Sequence, residues 1–282
     1  MDAVFNLNKP LGMTSFAVVA RARRLLHQSK AGHAGTLDPL ATGVLLVLTG
    51  KATRLSRFFM GRPKEYLATI RLGMETDTCD LEGRTVRECP VPHIGREELE
   101  RALAGLIGEI IQVPPAYSAV KIGGQEAYKR ARKGEKVEVP SRRVHIDSIE
   151  LLGYSAPGIS LRVRCSQGTY IRSLARDLGH RLGTCGVLAS LCRTAVGDFR
   201  LEHSASLESL TSADGMEMDR ALNFLPEITV GDEAARRVAH GNDITAETCG
   251  GADGYCRIRH GGRLLALGRL AGGGTIHPEV VF

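Results

Sequence analysis

The sequence predicts an α+β protein, in which a mixed and largely antiparallel sheet with flanking helices is followed by a small β-rich module. Segments typical of strands and of helices alternate along the first 200 residues, without internal repeats or low-complexity tracts. Val144 to Tyr154 and Ile159 to Ser166 have the pattern of a hairpin across Ala156-Pro157-Gly158. After Pro226 short apolar segments are separated by glycine-rich turns, which indicates a separate module of about fifty residues.

The composition is that of an ordinary globular chain. The 282 residues are 43% hydrophobic and 24% charged, which is enough for one large domain and a small one. No apolar run approaches the ~18 residues of a membrane span, and the first residues lack a signal pattern, so we expect a cytoplasmic protein without membrane association. The seven cysteines form no C-x-x-C pair, and we expect buried or incidental thiols rather than disulfides or zinc ligands.

Hydrophobic periodicity and capping residues define the elements of the first half. We predict, in order, a strand at Ala3–Asn8, a helix capped by Thr14 or Ser15 and ending near His27, a loop at Gly32–Gly43, a buried strand at Val44–Leu48, a basic helix at Lys51–Phe59 and a half-buried strand at Glu65–Leu72.

The second half continues the mixture. We predict a helix at Arg96–Ile107, an extended segment at Val113–Tyr117, an inserted helix and loop at 121–143, the hairpin, a helix at Tyr170–Leu182, a strand region at Val187–Phe199 and a partly helical acidic segment at Leu201–Phe224. The terminal module is predicted to hold a helix at Asp232–His240 and strands at 255–260, 263–270 and 276–282.

The net charge of +6 is unevenly distributed along the chain. Residues 1–60 contain eight Lys or Arg and two acids, and residues 121–143 contain eight and three. Clustered cations of this kind favour a polyanionic partner, because they displace counterions from phosphates. An ordinary solvated basic surface is the alternative. Residues 201–282 differ, with seven arginines, twelve acids and no lysine.

The loop from Gly32 to Gly43 is the most irregular segment. Pro39 fixes its own φ and favours an extended Asp38, and the glycines allow backbone angles closed to other residues. Within residues 1–60 the acids are Asp2 and Asp38, so we expect Asp38 to stay ionised among cations. The loop therefore predicts a functional carboxylate, and a turn-capping aspartate is the alternative.

Six motifs resemble the TruB family of tRNA pseudouridine synthases, which isomerise the T-loop uridine at position 55. They are K-P-x-G-x-T-S from Lys9, G-H-A-G-T-L-D-P-x-A-T-G from Gly32, K-E-Y from Lys64, P-P-x-x-S-A-x-K from Pro114, G-T-Y-I-R from Gly168 and L-x-R-T from Leu191. The terminal module resembles a PUA RNA-binding domain. The resemblance implies a catalytic domain at 1–227, with an RNA-clamping insert at about 121–143, and a PUA-like β-barrel at 228–282.

The resemblance also assigns roles within the site. Asp38 is implied as the nucleophile, at either ribose C1′ or uracil C6, on a uridine flipped out of the RNA. The reaction adds no atoms and changes no oxidation state, so no cofactor and no metal are expected. The other implied site residues are Tyr66 for stacking, Tyr170 near C5, Arg172 beside Asp38 if this stretch is extended, His33 at the loop mouth and Leu191 in the pocket wall. Each has a structural alternative, as a packing or solvated residue.

Phosphate contacts are expected from the basic segments. The residues are Lys129, Arg130, Arg132, Lys133, Arg142 and Arg143 of the insert, with Tyr128 interleaved. Lys9, Lys64 and Lys121 of the motifs are also expected to bind the substrate. We expect the insert to be weakly ordered without RNA, as arginine-rich segments often are. The acidic terminal module cannot bind RNA by bulk charge and would use local groups at the tRNA acceptor end, such as Arg236, Arg237, Arg257 and Arg259.

Three functions are compatible with these observations. The first is a stand-alone, monomeric isomerase acting on the tRNA T-arm stem-loop. The second is a guide-RNA-dependent relative acting on ribosomal RNA, which is disfavoured by the compact insert and the lack of long basic tails. The third is a non-catalytic RNA-binding or RNA-folding protein, which is disfavoured by the joint presence of Asp38, Tyr66, Tyr170 and Arg172.

Overall fold

The computed structural model of the chain describes residues 1–135, 137–245, 254–271 and 273–282. The strands of the first part are β1 Ala3–Lys9, β2 Ala31–His33, β3 Ala41–Thr49, β4 Lys64–Leu72, β5 Met74–Thr76, β6 Thr85–Glu88, β7 Gly108–Gln112, β8 Lys121–Ile122, β9 Gln125–Glu126, β10 Arg142–Ser155, β11 Gly158–Cys165, β12 Gly186–Val196, β13 Phe199–Arg200, β14 Ala205–Ser206 and β15 Met216–Glu217. Those of the terminal part are β16 Glu227–Thr229, β17 Ile244–Thr245, β18 Tyr255–His260, β19 Arg263–Leu270 and β20 Thr275–Val281. The α-helices are α1 Ser15–Leu25, α2 Ser56–Met60, α3 Arg96–Ala104, α4 Ala127–Ala131, α5 Ile171–Arg181, α6 Met218–Ala221 and α7 Asp232–Ala239.

A large mixed sheet forms the centre of the molecule. Its order is β14-β1-β3-β12-β4-β11-β10-β7, and β2, β13 and β15 pair at its sides. Strand β12 lies between β3, to which it is parallel, and β4, to which it is antiparallel. The hairpin of β10 and β11 joins antiparallel to β4, as predicted for a largely antiparallel sheet. The functional motifs on β3, β4 and β12 are therefore adjacent.

Helix α5 packs against β12 at a contact that requires glycine. A Cβ on Gly179 would lie 2.3 Å from the nitrogen of Gly186, and one on Gly186 would lie 2.3 Å from the carbonyl oxygen of Ala175. No side chain fits at either position, so the two backbones can approach this closely only with glycine. The contact fixes the start of α5, which carries Arg172, relative to β12.

The longer predicted elements agree with the structure, and the differences lie in short segments. Strand β2 lies partly within the segment predicted as a loop, since Gly32 and His33 pair with β3. The basic helix predicted at Lys51–Phe59 is a 3-10 helix at Gly50–Leu55 followed by α2, and strands β5 to β9 were not predicted. The helix predicted at Tyr170–Leu182 is α5, so the condition that this stretch is extended is met only at Tyr170. Segments of two to six residues are too short to show a clear period.

The expectation of no disulfide is also wrong. Cys89 and Cys185 are joined, with their Cα atoms 5.6 Å apart. They are 96 residues apart in sequence, and Gly73 brings them together, since its nitrogen donates to Cys185 and its oxygen accepts from Cys89. Spacing along the chain cannot reveal such a pair. Cys79 and Cys165 are buried thiols, as expected, and Cys249 lies outside the described residues.

The terminal strands form a separate five-stranded sheet, in the order β16-β18-β19-β20-β17, which is consistent with the predicted PUA-like barrel. Its outer side joins the core of the first part, because Leu267 and Val280 pack in one cluster with Leu48 and Phe59. Among the described residues, no helix is long and apolar enough to cross a membrane.

Candidate active site

The loop that carries Asp38 is held on both sides by the segment that follows β1. The nitrogen of Gly12 donates to the oxygen of Pro39 at 2.9 Å. The hydroxyl of Ser15 accepts from the nitrogen of Leu37 at 2.8 Å and lies 2.9 Å from its oxygen. Hydrogen bonds thus fix the backbone of Leu37, before Asp38, and of Pro39, after it. The K-P-x-G-x-T-S motif therefore positions this carboxylate.

Two lysines that were expected to bind the substrate, Lys9 and Lys64, are internal. The amine of Lys9 donates to the oxygens of Met13, Pro10 and Pro39, and the amine of Lys64 donates to that of Met60. Burial lowers the pKa of each to about 8. Because both side chains are buried, they present no surface cation to RNA, and their assignment as substrate-binding residues stays a prediction. Sequence cannot show that a lysine within a strand points inward.

Asp38 lies against the guanidinium of Arg172. Oδ2 of Asp38 is 2.9 Å from Nε of Arg172, and the two side chains are 38% and 5% exposed. The Nε–H does not point along this line, so the contact is an ion pair rather than a well-formed hydrogen bond. The other donors of Arg172 are used by the oxygens of Thr78 and Tyr117, both at 2.9 Å. A fixed arginine thus faces a carboxylate that is open to solvent.

A second carboxylate shares the same arginine. Oδ2 of Asp80 lies 3.6 Å from Nη1 of Arg172, and Asp80 is buried. Burial raises the pKa of Asp38, Arg172 acts in the opposite direction, and Asp80 adds to the increase. The expectation of one carboxylate among cations is therefore incomplete. It counted neighbours in sequence, whereas the fold adds Asp80 and desolvation.

Arg193 is a buried cation beneath the loop. Its Nε donates to the oxygen of Val44 at 2.7 Å and its Nη2 to the oxygen of Gly35 at 3.1 Å. At Gly43, where φ is +99°, a Cβ would lie 2.2 Å from the oxygen of Arg193, so only glycine fits. The side chain ties β12 to both ends of the loop. Sequence reasoning noted Arg193 only within the L-x-R-T motif and assigned it no role.

Tyr66 and Leu191 lie on neighbouring strands next to the end of the loop. Tyr66 on β4 is paired with Arg193 on β12, and Leu191 is paired with Ala41 on β3. Both side chains are largely buried. Burial raises the pKa of the Tyr66 hydroxyl, and Arg193 opposes this increase. The oxygen of Asp38 accepts from the nitrogen of Ala41 at 3.0 Å. Because Ala41 pairs with Leu191, this contact places Leu191, and Tyr66 on the next strand, near Asp38.

Tyr170 is fixed by a side chain that the motifs did not single out. Buried Gln112 accepts from the nitrogen of Tyr170 at 2.8 Å and donates to its oxygen at 3.0 Å. The guanidinium carbon of Arg142 lies 5.4 Å from the centre of the tyrosine ring. Arg142 belongs to β10 rather than to the insert, and its cation faces this ring.

His33 lies on β2, at the start of the loop, and is half-buried. Its Nδ1 is buried without a hydrogen-bond partner. Burial and the nearby charge of Arg193 lower the pKa of the ring. A neutral imidazole with an unused polar atom is therefore available at the loop mouth.

The comparisons with known proteins identify the family of this chain. Residues 23–171 match the family described as "TruB family pseudouridylate synthase (N terminal domain)". A tRNA pseudouridine synthase B from Aromatoleum aromaticum is 43% identical, covering 99% of this chain and 92% of that protein. The chain belongs to the TruB family. It is therefore an isomerase of the pseudouridine synthase class.

A further relative and two solved structures support the family and the fold class of the chain. A tRNA pseudouridine synthase B from Xanthomonas euvesicatoria pv. vesicatoria is 48% identical over 76% of this chain and 69% of its own length. A solved structure described as "Structure of H/ACA RNP bound to a substrate RNA containing 2'-deoxyuridine" has a TM-score of 0.75 and 26% identity, covering 99% of this chain and 84% of that chain. Another, "Crystal Structure of a Cbf5-Nop10-Gar1 Complex", has a TM-score of 0.76 and 28% identity, covering 99% and 84%. The predicted fold class is confirmed.

The insert of this TruB-family chain presents its cations at the surface. Lys121 is exposed on β8, and the guanidinium of Arg132 lies 5.6 Å from the ring centre of Tyr128. Lys129 forms an ion pair with Glu126 at 2.9 Å and Arg130 with Glu135 at 2.7 Å. Exposed pairs of this kind contribute little to stability, so phosphates can replace the acids. Weak order of the insert without RNA stays a prediction.

Two arginines of the terminal module are paired with acids. Arg257 lies 2.8 Å from Asp219 and 3.0 Å from Glu227, and Arg259 lies 3.0 Å and 3.3 Å from the same two acids. RNA would have to break these pairs to reach them, so the suggestion that they contact RNA stays a prediction. Their acids precede the module in sequence, so the pairing was not visible from the module alone. Arg236 and Arg237 are exposed on α7.

Proposed function

We propose that this TruB-family enzyme isomerises uridine 55 in the T loop of tRNA, with Asp38 as the nucleophile and without a cofactor. The names of the curated relatives support tRNA as the substrate. The observation that carries the assignment of Asp38 is its partly exposed carboxylate, held against the buried guanidinium of Arg172. A carboxylate with a fixed counter-charge and an open side can reach a substrate atom.

The chemistry requires the nucleotide to leave the RNA stack. The uracil would enter between Tyr66 and Leu191, and Asp38 would attack either ribose C1′ or uracil C6. The bond between N1 and C1′ then breaks, the base turns, C5 bonds to C1′, and the bond to Asp38 breaks, which restores the free carboxylate. The proton on C5 is lost while N1 gains one, so no atoms are added in total. Tyr170 would lie near C5 and assist the last proton transfer.

The neighbouring polar groups favour this sequence of steps. The guanidinium of Arg172 is held by two carbonyl oxygens, so it keeps its position when the charge on the Asp38 carboxylate changes during the reaction. Burial raises the pKa of Asp38, and Arg172 opposes this increase and so favours the ionised carboxylate that acts as the nucleophile. The unused Nδ1 of His33 would support the everted nucleotide.

Binding is divided between two parts of the chain in this proposal. Catalysis belongs to residues 1–227, whose insert at 121–143 would contact the T-arm backbone through Lys121, Lys129, Arg130 and Arg132. Residues 228–282 would contact the acceptor end through Arg236 and Arg237. The enzyme would act as a monomer.

The test uses a T-arm stem-loop labelled with tritium at C5 of the target uridine. The native enzyme should release tritium, and Asp38→Asn should bind the RNA without releasing it. The control is Asp147→Asn, because Asp147 has a similar side-chain exposure of 41% and lies on β10. Release by Asp38→Asn at the native rate would refute the assignment of the nucleophile.

A guide-RNA-dependent activity is the second candidate, because the solved structures with TM-scores of 0.75 and 0.76 are described as H/ACA and Cbf5 complexes. The same assay separates the two. Release from the stem-loop with no added RNA or protein supports the stand-alone enzyme. Release that depends on an added guide RNA would support the alternative.

A further inference from the structure

Two large apolar side chains lie exposed beside the loop that carries Asp38. Leu11 is 67% exposed and Phe16 is 79% exposed. Each is next in sequence to a residue that holds the loop, since Gly12 binds Pro39 and Ser15 binds Leu37. The two side chains are therefore rigidly placed at the edge of the site. Neither contributes to the hydrophobic core.

Helix α1 continues this surface with positive charge. Arg23 and Arg24 are seven and eight residues after Phe16, which puts them on the same helix face about 10 to 12 Å along the axis. Both are exposed. Residues 3–37 contain no acid. We refer to Leu11, Phe16, Arg23 and Arg24 as the α1 strip.

The cations of the α1 strip differ from the two partly buried arginines of strand β18. Within the described residues, neither Arg23 nor Arg24 forms an ion pair, whereas Arg257 and Arg259 are both paired with acids. An exposed aromatic ring followed by unpaired arginines is the combination that binds single-stranded nucleic acid. Bases stack on the ring and phosphates pair with the cations.

We propose that the α1 strip binds the substrate RNA next to the everted uridine, with a neighbouring base on Phe16 and Leu11 and the backbone phosphates of that strand on Arg23 and Arg24. This inference rests on the proposed function for the identity of the RNA. The continuity of the strip with the Asp38 loop favours the substrate, and the absence of acids favours a polyanion over a protein partner.

Binding is measured with the T-arm stem-loop and the Asp38→Asn protein, so that the result does not depend on turnover. Phe16→Ala in this background should weaken binding about 5- to 100-fold, the range for loss of one stacked base. Phe16→Tyr should retain binding, because it keeps the ring. Ile111→Ala is the control, since Ile111 is 70% exposed on the edge strand β7.

Salt dependence tests the arginines separately. The double variant Arg23→Gln/Arg24→Gln should reduce the slope of log K against log salt by about 1.4, or about 0.7 for each lost single-strand phosphate contact. Phe16→Ala should leave this slope unchanged, because no charge is removed. The variant pair Arg84→Gln/Arg87→Gln, on and beside β6, serves as the charge control.

The outcomes are separable from those of the proposed function. Binding by Phe16→Ala within twofold of the parent, equal weakening by Phe16→Tyr and Phe16→Ala, or an unchanged slope in the arginine double variant would each overturn the α1 strip. Failure of the native enzyme to release tritium would overturn the proposed substrate instead. Each variant is expected to unfold at the same temperature as the parent protein, because the substituted residues are exposed. Thermal unfolding checks this.

Discussion

Two arginines in different regions each contact two carboxylates, and they do so differently. In the terminal region the side chain of Arg257 is 12% exposed, and each of its three nitrogens has a partner, in Asp219, the exposed Glu227 and the oxygen of Leu225. At the candidate site Arg172 also faces two acids, but its Nε–H is poorly aligned with the partly exposed carboxylate of Asp38. All three nitrogens of Arg257 are therefore used within the protein, whereas the carboxylate of Asp38 beside Arg172 can still interact with a substrate.

The difference shows why charge counted along a sequence predicts function poorly. Arg172 lies in a recognised motif and Arg257 in the acidic segment 201–282, yet both were candidates for RNA or active-site contact. What distinguishes them is whether every polar atom already has a partner, because an unpaired buried group is costly unless a ligand uses it. Among the described residues of the recognised motifs, Nδ1 of His33 and Oγ of Ser118 are buried without a hydrogen-bond partner, and Nε of Arg172 meets Asp38 only at a poor angle, as Nε of Arg259 meets Asp219.

The largest expected effect is that of Arg172→Lys. A single amine cannot contact Asp38, Asp80, Thr78 and Tyr117 at once, so the carboxylate loses its fixed counter-charge. We expect kcat for the T-arm stem-loop to fall about 100- to 1,000-fold, as for loss of one preorganised electrostatic group. Single-turnover tritium release at saturating enzyme measures this, with Asp38→Asn as the baseline.

Arg257→Lys is the matched variant in the other region. It should leave release within about twofold, in the range of a substitution outside the site. Equal losses in the two variants would show that the two arginines do not differ as described.

Arg193→Met is expected to have the next largest effect. The oxygens of Val44 and Gly35 would lose a charged donor while staying buried. The free energy of unfolding should fall by about 2 to 4 kcal/mol, and turnover should fall as the two ends of the loop separate. Urea unfolding and tritium release are measured on the same protein. A variant of native stability but reduced turnover would make Arg193 a direct contact of the substrate.

Much of the fold and part of the site could be predicted from sequence. The alternating pattern of Lys64–Leu72 and the apolar run in β3 predicted their strands, because half-buried and fully buried strands have different patterns. The motifs identified Asp38, Tyr66, Tyr170 and Arg172 as one group, and the structure brings Asp38 and Arg172 into contact.

What could not be predicted depends on long-range contact. Asp80, Gln112 and Arg193 support the site from segments far apart in the chain, and the Cys89–Cys185 pair closes across 96 residues. The direction in which a side chain points decides the rest. In the sequence Lys9 is one of the cations of the basic segment 1–60. In the structure its side chain is buried, and its amine donates to three backbone oxygens.

Lys9 is expected to give a smaller, pH-dependent effect on stability. Its pKa is about 8 in the folded chain and 10.5 in its ordinary state. Between these values the unfolded chain holds the proton and the folded chain does not, so folding becomes more favourable as pH rises. The free energy of unfolding, relative to Lys9→Met, should therefore increase from pH 8 to 10 by at most about 1.4 kcal/mol per pH unit. Urea unfolding at pH 7, 8, 9 and 10 tests this.

Below pH 8 the difference between the two proteins should be constant, because Lys9 is protonated in both states there. Lys64 has a similarly lowered pKa but is present in both proteins, so its contribution cancels. A difference that decreases between pH 8 and 10 would mean that the charged amine is favoured inside, as expected of a lysine serving as the counter-charge of Asp38.

The smallest effect on turnover is expected for Arg257→Gln. Removing the charge leaves Asp219 and Glu227 near each other without a cation, and the free energy of unfolding should fall by about 1 to 3 kcal/mol. Release from the stem-loop should stay at the native rate, because none of these groups contacts the Asp38 site. If the double variant Arg257→Gln/Asp219→Asn recovers stability, the pair is structural. If tRNA binding falls in Arg257→Gln and does not recover in the double variant, the arginine contacts RNA after all, because removal of its acid cannot restore a phosphate contact.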